Sequence, residues 1–419
     1  MRLAVVGGGI VGLATARAAL ERWPDAEISV IEKEATVGAH QSGHNSGVVH
    51  AGLYYEPGSL KARLCLRGAA LLREFCAAEA LAYETCGKVV VALSEEELPR
   101  LRNLHERAIA NGVEGVRLID QAELSSIEPQ ARGIMALYSP ATAITDFVAV
   151  TRTLAQRFTE QGGTVATGTV VTRVVPDGVR VRLELGSGRD LEFDRVVVCA
   201  GLHADRLARA SGENAEPRII PFRGEYWQLR REARVEIRGL IYPVPDPRLP
   251  FLGVHLTRRV DGSVWVGPNA VLAFSREGYR RRDVSLRDVR DIVTWPGMRR
   301  LAWTYRRVAA TELARSVSRR AFVREARRYV PSLQARDVVP APAGVRAQAV
   351  DRSGAMIDDF RLGVHRNVVW VRNAPSPAAT SSLAIGEELV GNLDSIRAPA
   401  RSTAARPAHS ESGRDDTSG

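Results

Sequence analysis

Lysine is almost absent from this chain: among 58 basic residues it occurs only at Lys33, Lys61 and Lys88, and the rest are arginine. A biased codon usage accounts for arginine over lysine, but not for where the arginines cluster. Cysteine is scarce too. Cys65, Cys76, Cys86 and Cys199 form no C-x-x-C pair and lie in segments that read as core or strand, which speaks against a zinc site and for reduced thiols in a cytoplasmic protein. No run of about 18 apolar residues occurs, and the N-terminus enters a strand without a charged leader, so neither a transmembrane span nor a secretory signal is expected. Internal repeats are lacking as well.

In bulk the chain is ordinary for a globular protein, with 45% hydrophobic and 25% charged residues, and its 419 residues exceed one typical core and favour two domains. The charge distribution is less ordinary. Between Arg280 and Arg328 there are 15 arginines against 5 acids, which leaves 43 basic and 43 acidic residues elsewhere, so the whole net charge of +10 sits in one segment. Apolar residues such as Val284, Leu286, Trp295, Trp303 and Phe322 are interspersed there, and the stretch reads as two or three helices. It fits a solvated helical cap, or a peripheral contact with anionic lipid through which a membrane quinone is reached. Nucleic-acid binding is disfavoured, because no stacking motif or RNA-binding module accompanies the charge.

The first dozen residues carry the most specific signal. Leu3 to Val6 read as a buried parallel strand, Gly7, Gly9 and Gly12 fit G-x-G-x-x-G, and Ile10 to Leu20 continue as an apolar helix. A second strand, Glu27 to Ile31, ends in Glu32. In this setting Gly7 makes the tight turn, Gly9 lets backbone approach a pyrophosphate, Gly12 permits close helix–strand packing, and Glu32 accepts hydrogen bonds from a ribose. Residues 38–47 then form a second Gly/Ser/His/Asn loop where a nicotinamide dehydrogenase would place further strands and helices. Such a loop can run beneath an extended cofactor, which favours FAD over NAD.

Further along, amphipathic helices are expected at about 59–81 and 146–161, a charged helix at 95–111, and strands at 88–93, 164–175, 179–184 and 195–200. From Ile219 to Asn269 alternating strands broken by Pro and Gly suit an antiparallel sheet. Residues 340–346, 368–372 and a helix at 380–393 read as a return to the first domain, and the Ser/Ala/Pro-rich residues 396–419 as a disordered tail.

The fingerprint with Glu32 and the loop from His40 to Tyr55 recur with later blocks: residues 221–226, 250–258, 267–270, 344–348 and 373–380. Together they resemble the L-2-hydroxyglutarate dehydrogenase/oxidase family, within the D-amino-acid-oxidase-like flavoproteins, from residue 1 to about 395. The resemblance implies an α/β fold. A Rossmann-like, glutathione-reductase-like FAD-binding domain (1–85, 146–215 and 340–395) would sit beside a mainly antiparallel α+β substrate domain (86–145 and 216–339). It implies FAD as a dissociable cofactor, oxidation of a 2-hydroxy diacid, and electron delivery to quinone or oxygen, with the protein cytoplasmic or peripheral on the inner face of the cell membrane.

The same resemblance sets out the site. Gly7, Gly9, Gly12, Glu32, His40, Ser42, His44, Asn45, Ser46, Gly47, Val171, Gly201, Ser376, Ala378 and Thr380 are expected at the cofactor. Oxidising a 2-hydroxy acid at a flavin needs a base for the hydroxyl proton and cations for the carboxylates. Candidate cations are Arg346, first among them because related flavoenzymes place a Gly-x-Arg arginine at the substrate carboxylate, then Arg223 and Arg258. Each could instead form a salt bridge between domains. Either His255 or His50 suits the base, and Tyr55, Tyr226 and Asn269 are candidate polar orienters. His40 and His44 lie four apart in a loop rather than on a helix, so no metal is expected. A sister enzyme acting on an amino acid or another hydroxy acid, and a flavin-containing RNA-binding protein, are the alternatives.

Overall fold

The computed structural model describes residues 1–396, so all of the tail except Ile396 lies outside the described residues. The run Leu-Ala-Val-Val from Leu3 is buried on both faces, as a central parallel strand must be, and forms β1 (Arg2–Val6). It pairs in parallel with β2 (Glu27–Ile31) on one side and with Arg195–Val198 on the other. Thr164–Ala166 and Val368–Asn373 extend the sheet in parallel, and Arg361–His365 closes it as an antiparallel edge, giving six strands. Helix α1 (Ile10–Arg22) buries Leu13, Ala14, Ala16 and Ala19 and packs against the helices Phe147–Glu160 and Ser382–Asp394. Its small residues let those helices approach closely.

A second sheet holds nine strands and is mostly antiparallel. Its spine is Arg218–Leu229, paired along its length with Val338–Val350. Val264–Gly267, His255–Arg258, Leu240–Pro243, Lys88–Ala92, Met135–Ser139 and Arg117–Asp120 follow in order, and only Leu240–Pro243 with Lys88–Ala92 runs parallel. Two expectations change here. Residues 340–346 do not return to the first sheet; they belong to the second, where Pro340 and Pro342 are tolerated because at these positions the strand has a partner on one side only among the described residues. The strand expected over 164–175 breaks after Ala166, and Val171–Pro176 opens a separate three-stranded sheet.

The arginine-rich segment forms four short helices, Leu286–Thr294, Pro296–Thr304, Arg306–Val317 and Arg319–Ala326. Its two tryptophans part company: Trp295 is buried with Ile292, Met298 and Leu301, whereas Trp303 is 72% exposed. A buried ion pair, Arg276 with Asp205, ties the approach to these helices to the helix Ala204–Ala210 beside the first sheet. No helix among the described residues is long and apolar enough to cross a membrane.

Candidate active site

A cavity of about 1350 Å³ runs from the glycine turn after β1 to the face of the second sheet. At its first end the turn is locked by close backbone approach. Gly7 has φ +115°, and a Cβ there would sit 2.3 Å from the Cys199 carbonyl oxygen; a Cβ on Gly12 would sit 2.0 Å from the Gly7 carbonyl oxygen. Gly9 caps α1 without a side chain, so Ser42 reaches across from the second loop and accepts from the Ile10 amide at 2.9 Å. The buried Glu32 carboxylate accepts from the amides of Gly8 (2.6 Å) and Glu34 (2.8 Å), holding the end of β2 against the turn. Gly9, Ile10, Val11 and Gly12 all line the cavity, so the helix start offers backbone and dipole to an anionic group.

The second loop forms the middle of the wall. Asn45 closes it, donating to the carbonyls of Gln41 and Ser42 and accepting from the Gly47 amide. His44 stacks on Tyr279 at 3.9 Å and bonds the Ala343 carbonyl at 3.1 Å. Burial keeps its imidazole neutral. His40 meets Glu34 at 2.9 Å. Glu34, His40 and Glu277 lie close enough to share a cation, and the Lys33 ammonium, paired with both acids, already fills that role. His203 at 2.8 Å, joined by Lys33, holds the Glu277 carboxyl down to about 2. Ser46, Val171, Gly201, Ser376, Ala378 and Thr380 also line the cavity, whereas Gly47 only shapes the loop at φ +77°. The final helix begins at Ser382, two residues later than expected, and Thr380 is left free to accept from the His50 amide at 3.1 Å.

At the far end stand His50, Tyr55, Tyr226, His255 and Arg346. His255 Nδ1 lies 2.9 Å from the Gly253 carbonyl, which can only accept, so Nδ1 carries the proton and Nε2 keeps its lone pair. Burial pushes this imidazole down to about 3, so it is neutral across the physiological range. His50 is likewise held neutral by burial, and its Nδ1 is buried without a hydrogen-bond partner among the described residues. Arg346 stacks its guanidinium on Phe251 at 5.2 Å and enters no salt bridge among the described residues. An unpaired arginine beside a neutral imidazole is suited to take up a carboxylate and remove a proton.

The other two arginines do not reach this cavity. In the ribbon Phe222 pairs with Arg346 and Arg223 with Val345, so alternation turns Arg223 to the opposite face. There it is buried against Glu225 at 3.1 Å. Asn269 joins the same cluster, its amide nitrogen 3.0 Å from Glu225 Oε2 and its oxygen accepting from the Glu225 amide, so it orients a structural acid rather than substrate. Arg258 lies three residues from His255, hence on the other face of that strand, and pairs with Glu84. Three residues here are absent from the sequence expectations: Lys61 in the wall, which donates to Asp358 at 2.7 Å, Tyr242 in the wall, stacked on His255, and Lys88 behind Tyr242. The composition held a signal for two of them, since all three of the chain's lysines stand on or just behind this wall.

Residues 2–391 match the family model described as DAO, FAD dependent oxidoreductase. The chain is 46% identical over 399 residues to the mitochondrial L-2-hydroxyglutarate dehydrogenase of Bos taurus, covering 91% of this chain and 86% of that protein. It is 44% identical over 393 residues to the L-2-hydroxyglutarate dehydrogenase of Salmonella houtenae, covering 94% and 93%. Among solved structures, the dithionite-reduced, FAD-bound L-alpha-glycerophosphate oxidase of Mycoplasma pneumoniae superposes with a TM-score of 0.76 at 21% identity, covering 94% of each chain. That last likeness concerns the fold alone.

Proposed function

The chain belongs to the FAD dependent oxidoreductase family, and we propose that within it the protein oxidises L-2-hydroxyglutarate to 2-oxoglutarate. The observation that carries this reading is one cavity holding the glycine turn with Glu32 at one end and an unpaired arginine beside a neutral, correctly protonated histidine at the other. The names of the relatives at 44–46% identity support the choice of substrate.

Gly7, Gly9, Gly12, Glu32, Ser42 and the 374–380 loop would hold FAD, which when bound supplies the hydride acceptor for C2 of the substrate. Arg346 binds a substrate carboxylate through its two-pronged guanidinium. Nε2 of His255 takes the hydroxyl proton, and the Gly253 carbonyl stabilises the imidazolium through Nδ1–H. Tyr55, buried in the wall, and Tyr226, half-buried there, exclude water and orient the diacid. His50 stands close by as the other candidate base. We assign the substrate domain to the second sheet, with its boundary after residue 350.

The electrons pass on to a quinone in a membrane that the protein touches peripherally. Leu286, Val293, Trp303, Leu313 and Val317 are each more than half exposed within the segment that holds all the excess positive charge, a composition suited to an anionic lipid surface. Cosedimentation with phosphatidylglycerol vesicles, lost in the W303E/L313E variant and absent with phosphatidylcholine, tests the contact. Reoxidation that is faster with a soluble quinone than with air supports the acceptor. The substrate is tested by anaerobic flavin bleaching. L-2-hydroxyglutarate is expected to bleach the flavin and amino acids to leave it oxidised; the reverse pattern refutes the reading.

A further inference from the structure

Lys88 opens the strand Lys88–Ala92, is 1% exposed, and enters no salt bridge among the described residues. A lysine this buried without a carboxylate needs an account. Lys88 pairs with Leu240 on the neighbouring parallel strand, and Leu240 in turn pairs with Thr257 on the antiparallel strand beyond it. With a side-chain period of two, Lys88, Tyr242 and His255 therefore share one face of the sheet, on three successive strands. The Tyr242 ring stands between the other two. His255 stacks on it at 3.9 Å from one side, and the Lys88 ammonium lies 4.3 Å from its centroid on the side of the other strand. Tyr54, 5.3 Å away, covers the ammonium from above.

We propose that Lys88 is a positioning residue of the reaction, a buried ammonium behind Tyr242 whose charge draws the anionic substrate in and whose deprotonation makes His255 a stronger base. The proposal rests on His255 being that base. The titratable groups around Lys88 are Tyr242 and His255 on the sheet, His50 and Tyr54 from the loop after Val49, Cys65 from the helix Leu60–Ala78, and Cys86 on its own segment. None is a carboxylate, and burial pushes the amine from 10.5 down to about 7. Charged, it opposes formation of an imidazolium at His255; neutral, it no longer does. Arginine fills nearly every other basic position of the chain, but it stays protonated at any working pH and could not switch in this way.

The test uses the FAD-loaded enzyme. With three lysines in the chain, protein labelled with 13Cε-lysine gives three side-chain resonances, and the one missing from K88R is assigned to Lys88. That resonance is expected to titrate near 7. Titration above pH 9.5 or so, in the range of an ordinary lysine, overturns the proposal. Stopped-flow flavin reduction by L-2-hydroxyglutarate between pH 6 and 8 should show KM rising about tenfold as one charge is lost, while the limiting rate also rises. K88R should hold KM low and flat, and K88M should hold it high and flat. A wild-type pH step surviving in K88R contradicts the proposal even if K88M does not fold. Failure of the underlying reading looks different: H255N would then reduce its flavin at the wild-type rate.

Discussion

In the function proposed above, recognition of an acidic substrate depends on Arg346, and its replacement by methionine has a calculable cost. Its guanidinium lies at the cavity wall, backed by Phe251 at 5.2 Å and engaged by no carboxylate among the described residues, so its charge is available to a ligand. Two parallel charge-assisted hydrogen bonds to a carboxylate contribute about 3 kcal/mol net of desolvation. At roughly 1.4 kcal/mol per tenfold, their loss corresponds to about 150-fold in binding. Methionine keeps the stacking on Phe251 through its thioether and removes only the charge, so the fold is expected to survive. The assay is anaerobic flavin reduction over a range of L-2-hydroxyglutarate concentrations. R346M should raise the half-saturating concentration by about two orders of magnitude, and R346K, a point charge without the fork, should recover about a tenth of the loss. A change of less than about threefold in R346M would remove Arg346 from the site and, since Arg223 and Arg258 face elsewhere, would leave the reading without any of its three candidate arginines.

Replacing His255 by Asn should lower the limiting rate of flavin reduction by 100-fold or more, on the order expected of a general base, while H50N should cost less than about tenfold; stopped-flow traces compare the two. His255 also links stability to pH. Its folded value, about 3, lies below the ordinary 6.5, so the unfolded chain binds more protons between those limits and stability is lost as pH falls from about 6.5 toward 3. Urea midpoints measured at several pH values should show this decline, weaker in H255N. G12A, whose Cβ would fall 2.0 Å from the Gly7 carbonyl oxygen, should purify with a sharply reduced flavin-to-protein ratio. D205N strands the buried charge of Arg276 and should lower unfolding free energy by about 3–5 kcal/mol in urea titrations.

Which parts of the site could be read from sequence follows from how locally they are encoded. The glycine turn, Glu32 and the His40–Tyr55 loop are contiguous, so residue type and spacing carry both their geometry and their task, and Gly7, Glu32 and Ser42 stand at the cavity. The cations were legible only as motifs. Whether an arginine on a strand faces the cavity depends on a register of one residue, which turned Arg346 in and Arg223 out although they stand in adjacent pairs of the same ribbon. Lys88, Tyr242 and His255 are harder still. They meet across three strands, one of them paired in parallel at a separation of about 150 residues, and no local pattern announces that juxtaposition. Residues 340–346, expected in the first domain, join the second sheet for a related reason: their own sequence suits either sheet, and the partner with an open edge twelve residues long decides.

Single-turnover reduction of the FAD-loaded enzyme under anaerobic conditions, with L-2-hydroxyglutarate carrying deuterium at C2, tests the central claim most directly. Flavin bleaching slowed by the deuterium, with one 2-oxoglutarate formed per flavin reduced, is the predicted result. Bleaching at an unchanged rate, or none at all with this substrate while an amino acid reduces the flavin, would contradict it.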